Sequence, residues 1–257
     1  MSEENNPAEE QYALSAHSLV KQYANAASPA LNKLSLQISK GTFFGLLGPN
    51  GAGKTTALSI FSGLFPQDSG RLKILGQEFG RRSKEIKKIF GLVPQEIALY
   101  DNLTAQEHLV FLGKLYGLRG KKLRQRVEDC LEVSGLTALA TRLVGSYSGG
   151  MKRRLNIVAG LIHQPQILFL DEPTVGVDAQ SRHLIHEQLR QANQAGTTIL
   201  YTSHSLDEAE KLCDQIGIID HGQIIEQGQP KKLIAESGLA NLEELFLQLT
   251  GRQLRDA

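Results

Sequence analysis

The residues Gly48-Pro49-Asn50-Gly51-Ala52-Gly53-Lys54-Thr55-Thr56 carry the most specific chemistry in the chain. They fit G-x-x-x-x-G-K-[ST], with Gly48, Gly53, Lys54 and Thr55 at the fixed positions. Glycines let the backbone curl so that successive N–H groups, through Asn50 and Gly51, point inward as a nest for anionic oxygens. The helix expected to follow aims its positive end at the same oxygens, with Thr56 in its first turn. Lys54 can neutralise β- and γ-phosphates, and the Thr55 hydroxyl can ligate Mg²⁺. Such a loop needs a strand entering it and a helix leaving it. The apolar run Phe43-Phe44-Gly45-Leu46-Leu47 supplies the first, and Ala57, Leu58, Ile60 and Phe61 supply the second. The stretch implies a bound nucleoside triphosphate.

A second cluster lies far along the chain. Ile167-Leu168-Phe169-Leu170 reads as a strand buried on both faces and ends in Asp171-Glu172-Pro173. Ligands of open parallel sheets sit at such strand ends. Asp171 there can hold Mg²⁺, mostly through water, and Glu172 can orient or deprotonate an attacking water. His204 follows the next strand and can hydrogen-bond a γ-phosphate and orient that water. Gln95, after the strand Phe90-Gly91-Leu92-Val93-Pro94, is a neutral donor and acceptor that could reach Mg²⁺ or the water. Ser148-Gly149-Gly150 opens a helix as another anion nest, most useful if it faces the phosphate loop of a second copy. Asp178 reads as a turn and N-cap residue, and Tyr23 as a lone aromatic near a turn.

These residues need an α/β frame with a mostly parallel sheet. Residues 12–47 suggest strands, clearest in Leu34-Ser35-Leu36-Gln37-Ile38, and an antiparallel β subdomain is expected on the N-terminal side. From about 95 to 163 the pattern turns all-helical. Leu109, Leu112, Leu115 and Tyr116 share one face, and Thr104 with Glu107 makes a capping box. Val127, Leu131 and Val133 suggest a second helix, and Leu155, Val158, Ala159 and Ile162 a third. The α/β pattern resumes through a helix at 179–195, the strand Thr197–Tyr201, a helix from about Ser205 and the strand Ile216–Ile219. Residues 230–257 read as a helical extension, residues 12–229 as the main domain, and residues 1–11 as a flexible polar tail. The basic run Gly80-Arg81-Arg82-Ser83-Lys84 reads as a solvated loop.

Composition narrows the function classes. Lys plus Arg is 28 against 27 for Asp plus Glu, a net charge of +1, so no excess basicity points to nucleic acid. Two widely separated cysteines, Cys130 and Cys213, have no metal or redox spacing and read as free thiols of a reducing compartment. The polar stretch 1–11 has no apolar core of a signal peptide, and the longest uncharged stretch, Ile157–Leu170, is interrupted by His163, Gln164, Pro165 and Gln166. The chain is expected to be soluble by itself, with any link to a membrane made through a partner.

With its motifs in this order, the chain resembles the ATP-binding subunit of ABC transporters, from about residue 12 nearly to the end. The phosphate loop, Gln95, Ser148-Gly149-Gly150 at the signature position, Asp171-Glu172, Asp178 and His204 carry the resemblance. It implies a P-loop NTPase core with an inserted all-helical subdomain. It also implies two subunits packed head to tail around two ATP molecules, each held by the loop of one chain and by Ser148 and Gly150 of the other. Tyr23 would stack on adenine, Glu172 would be the base for hydrolysis, and Asp178 would make a contact across the dimer. An integral membrane permease subunit would dock on the helical lobe, placing the chain peripherally on the cytoplasmic face of the inner (plasma) membrane. Family members usually have Leu before the signature Ser and Gln after its glycines, where Tyr147 and Met151 stand here. The stretches 94–104 and 241–251 are similar to the branch that exports drugs, lipids or polysaccharides. The alternative, a soluble ATPase of this family acting on nucleic acid or ribosomes, would be expected to show a long coiled coil, a second cassette or a basic linker, none visible here. One full set of motifs favours pairing of two identical copies.

Overall fold

The structure, a computed structural model, describes residues 11–24, 26–79, 86, 88–203 and 205–251. In chain order the first elements are β1 (Tyr12–Lys21), β2 (Leu31–Ser39), β3 (Phe43–Leu47), α1 (Lys54–Phe61), β4 (Ser69–Ile74) and β5 (Gln77–Glu78). Then come β6 (Phe90–Val93), α2 (Ala105–Leu115), α3 (Gly120–Val133), α4 (Gly149–Leu161), β7 (Ile167–Asp171) and α5 (Ala179–Gln194). The last are β8 (Thr198–Ser203), α6 (Leu206–Leu212), β9 (Gln215–Asp220), β10 (Gln223–Gly228), α7 (Pro230–Ser237) and α8 (Leu242–Thr250). The chain forms two compact units, Lys88–Thr197 and the remainder. The run Gly80–Lys84 lies outside the described residues, as does most of the polar N-terminal stretch.

In the discontinuous unit, β2, β1, β4 and β5 form an antiparallel sheet in that order, with Leu14 opposite both Ile38 and Ile74. Period two in β2 buries Leu34, Leu36 and Ile38 on one face, each contributing about 1.5–3 kcal/mol of burial. β3 lies between β8 and β9 and parallel to both, and β10 runs antiparallel to β9. All five β3 residues are buried, as a strand covered on both faces requires. Gly45 lets Cys213 close on β3, since a Cβ would come 2.8 Å from its sulfur. β10 adds a strand through a tight turn in which His221 (φ 44°) and Gly222 (φ 73°) are both left-handed, matching the strand twist.

In the continuous unit, β6 and β7 pair in parallel from Phe90 opposite Ile167 to Val93 opposite Leu170. The described elements between 95 and 161 are helices and two short 3-10 turns, around a core that includes Leu109, Val127, Leu131, Leu155, Val158 and Ile162. Thr104 and Glu107 form the capping box at the start of α2. The inward face of α2 differs from expectation. Ala105, His108, Leu109 and Gly113 are buried, whereas Leu115 is 70% exposed and Tyr116 stacks at 3.6 Å on His163. Gly113 explains the rotation, because any Cβ there would collide with Leu123 and a bare backbone lets α3 approach. Val133, one of the residues that suggested this helix, is 40% exposed at the end of α3. Among the described residues no helix is long and apolar enough to cross a membrane.

Candidate nucleotide site

The phosphate loop connects β3 to α1 as the motif requires. Gly48 is buried so tightly that a Cβ would strike the Ile219 carbonyl and lie 2.7 Å from its Cγ2. Gly53, at φ 108°, is the N-cap of α1, and a Cβ there would strike the Ala30 carbonyl. Only glycine meets both demands. Lys54 is 6% exposed, and its ammonium donates to the carbonyls of Gly48 (2.7 Å) and Pro49 (3.1 Å). It therefore ties the loop's first residues to the start of α1 and holds the charge at the mouth of the curl. Asn50, Gly51 and Thr55 are exposed, and Thr56 lies 3.4 Å from the Tyr23 hydroxyl. Tyr23, 42% exposed, thus stands beside the first turn of α1, with Lys21 Nζ 6.0 Å from its ring centroid.

The carboxylate cluster belongs to the other unit. β7 delivers Asp171 at its end, 5% exposed, and Glu172 follows at 7%. Glu172 adopts φ 47°, a left-handed backbone that costs a non-glycine residue about 1–3 kcal/mol and concentrates at functional sites. Gln95 Nε2 donates to a Glu172 carboxylate oxygen at 3.1 Å, joining residues 77 positions apart. Among the described residues no group of three or more His, Cys, Asp and Glu could enclose a metal. A single carboxylate at a strand end fits the ligand needs of Mg²⁺, an ion that keeps several waters and takes the rest of its shell from phosphates.

The Ser-Gly-Gly turn opens α4. Ser148 is its N-cap, accepting from Met151 N at 3.3 Å, and Ser148 and Gly149 are exposed. Tyr147 and Met151 turn the other way. Tyr147 is 6% exposed with its hydroxyl donating to the Leu139 carbonyl at 2.6 Å, and Met151 packs against the helical core. These departures from the usual family residues fill the core rather than the exposed turn. Gly150 is buried against the start of α5, where a Cβ would lie 2.8 Å from Ser181 Cβ and 2.9 Å from Asp178 Oδ2. Asp178 caps α5, as expected from sequence, and hydrogen bonds from Ser181 hold its carboxyl below the usual range. Gly150→Ala should therefore destabilise the fold by about 1–3 kcal/mol, whereas Gly149→Ala, with open space at its Cβ, should stay within about 0.5 kcal/mol. Thermal denaturation of the two variants checks the contrast.

His204 lies outside the described residues. Its neighbours form a network: Tyr201 OH donates to the Glu208 carboxylate and lies 3.1 Å from Ser203 Oγ, and Ser205 N donates to Ser203 Oγ (2.9 Å). Neither Tyr201 nor Glu208 was a sequence candidate, and Arg153 was missed too. Arg153 is 5% exposed and donates to the carbonyls of Pro94 (3.1 Å) and Gln95 (2.7 Å). In the sequence it is one of three adjacent cations, Lys152 to Arg154, and no local signal marks it as the buried one.

A family described as "ABC transporter" matches residues 31–175, more than half of the chain. A linearmycin resistance ATP-binding protein of Bacillus subtilis is 45% identical, over 95% of this chain and 76% of that protein. A Nod factor export ATP-binding protein of Rhizobium is 41% identical, over 84% and 71%. A dimeric ATP-binding cassette solved in a post-hydrolysis state with ADP and phosphate superposes with a TM-score of 0.76 at 25% identity, covering 84% of this chain and 98% of that one. The loop geometry and these likenesses lead to one assignment: the chain belongs to the ATP-binding subunits of ABC transporters, and it binds and hydrolyses ATP.

Proposed function

We propose that the chain powers export through a separate membrane subunit, by hydrolysing ATP at two sites shared between two copies packed head to tail. Gly48, Asn50, Gly51, Gly53 and Thr56 offer loop and helix-start donors to the phosphates, Lys54 neutralises the β/γ pair, and Tyr23 stacks on adenine. Mg²⁺, held by Thr55 and Asp171 with Gln95 in reach, would neutralise charge developing on the phosphates. Glu172 takes the proton of the attacking water as its oxygen bonds to the γ-phosphorus and the bond to the β-phosphate oxygen breaks, leaving ADP and phosphate. His204 orients that water. Ser148, Gly149 and Gly150 of the second copy close on the same ATP, and Asp178 contacts the partner copy.

The observation that carries the catalytic part is Glu172 itself, buried, hydrogen-bonded by Gln95 and held on left-handed backbone. Export is supported by the relatives whose names refer to linearmycin resistance and Nod factor export. The test is a tagged Glu172→Gln chain recovered with ATP and Mg²⁺ from detergent-solubilised native membranes and analysed by mass spectrometry. A multi-spanning membrane protein at near-equal amount is the expected companion. Recovery of only ribosomes, nucleic acid or water-soluble proteins would overturn the export reading and favour an ATPase acting on nucleic acid.

A further inference from the structure

Successive side chains leave a helix about 100° apart, and three at the start of α4 reach three separate anchors. Lys152 pairs with Asp101 at 2.7 Å, and Arg154 donates to the Ser134 carbonyl. Arg153 lies between them and grips the segment just after β6 through two consecutive carbonyls, those of Pro94 and Gln95. Gln95 then uses its side chain on Glu172. A continuous line of hydrogen bonds thus runs from the helix opened by Ser148 to the carboxylate of the same chain. We infer that Arg153 is a positioning residue coupling the Ser148–Gly150 turn to the Gln95–Glu172 pair, so that nucleotide held by that turn sets the general base of the neighbouring site.

The inference rests on the shared-site reading above. In a head-to-tail pair the turn of one copy meets the ATP on the other copy's loop. Arg153 acts instead on Glu172 of its own copy, which serves the second ATP. Each occupied site thereby prepares the other. The parts suit the task. Arg153 sits five residues after the N-cap, and Leu155 to Ala159 behind it are buried, so α4 moves as a body. A planar guanidinium spans two adjacent carbonyls, which an ammonium cannot do with the same geometry. Gln95 itself is exposed, and its carbonyl is held by this grip.

The test uses mixed dimers of two differently tagged copies, one carrying Glu172→Gln, purified on both tags so that a single base remains. Arg153→Met in the copy that keeps Glu172 should lower kcat roughly tenfold, with KM for ATP changed by less than about twofold. The same change in the Glu172→Gln copy has no base left to position, and the rate should stay within about twofold. Arg153→Lys should give a smaller loss with the same dependence on placement, and it decides the matter if Arg153→Met yields no dimer. Equal losses from both placements are what a merely structural clamp gives, and they overturn the inference, as does no loss from either. Failure of the shared-site reading shows separately. Ser148→Arg in the Glu172→Gln chain should bind ATP without dimerising, and dimerisation there refutes that reading whatever Arg153 does.

Discussion

Glu172→Gln lowers kcat for ATP by about 10²- to 10³-fold and leaves ATP binding intact, because general base catalysis contributes on that scale. The amide keeps the size of the carboxylate, and its oxygen still accepts from Gln95 Nε2, whose distance to the native carboxylate is 3.1 Å. The left-handed turn at 172 is therefore retained, and only the proton acceptor is lost. KM should move little, the pattern of an interaction made in the transition state alone. Steady-state ATPase assays with a parallel nucleotide-binding measurement check both halves. A rate above about a tenth of the parent would remove Glu172 from the role of base.

Lys54→Ala acts earlier, on binding. The ammonium is buried at the loop's mouth and fastened to the Gly48 and Pro49 carbonyls, so its loss removes a charge for the phosphates and a tie that keeps the curl. ATP affinity should fall by about 10²-fold or more, on the scale of 1.4 kcal/mol per tenfold. Thermal shift reads this directly. Ligand at a hundred times Kd stabilises a protein by about 2.7 kcal/mol, a gain that should nearly vanish in the variant at the same ATP concentration. An unchanged ATP-induced shift would mean that the backbone nest alone carries the affinity.

What could be read from the sequence followed how local the determinants are. The phosphate loop is contiguous, and its glycines answer local demands, a left-handed turn at Gly53 and a missing Cβ at Gly48. The caps at Thr104, Ser148 and Asp178 were readable because each closes within three residues. Partnerships at long range were not. Gln95 was singled out for a metal or a water, but its hydrogen bond to Glu172 spans 77 positions and no local pattern encodes it. Arg153 reaches back 58 positions to Gln95, and in the sequence it is one of three adjacent cations with nothing to tell it from a solvated charge. The face of α2 misled because periodicity weighs Leu115 above a glycine, whereas the close approach of Leu123 makes Gly113 the contact residue. Strand β10 escaped because Gln223–Gly228 has little alternation, and its place is set by the tight turn and by β9.

The measurement that bears most directly on the account is the mass of the Glu172→Gln chain in solution with excess ATP and Mg²⁺, with bound nucleotide counted in the same sample. Sites completed by a second copy predict a particle of two chains carrying two ATP, reverting to single chains when nucleotide is removed. A single chain that binds ATP and never pairs, at any protein concentration, would contradict it.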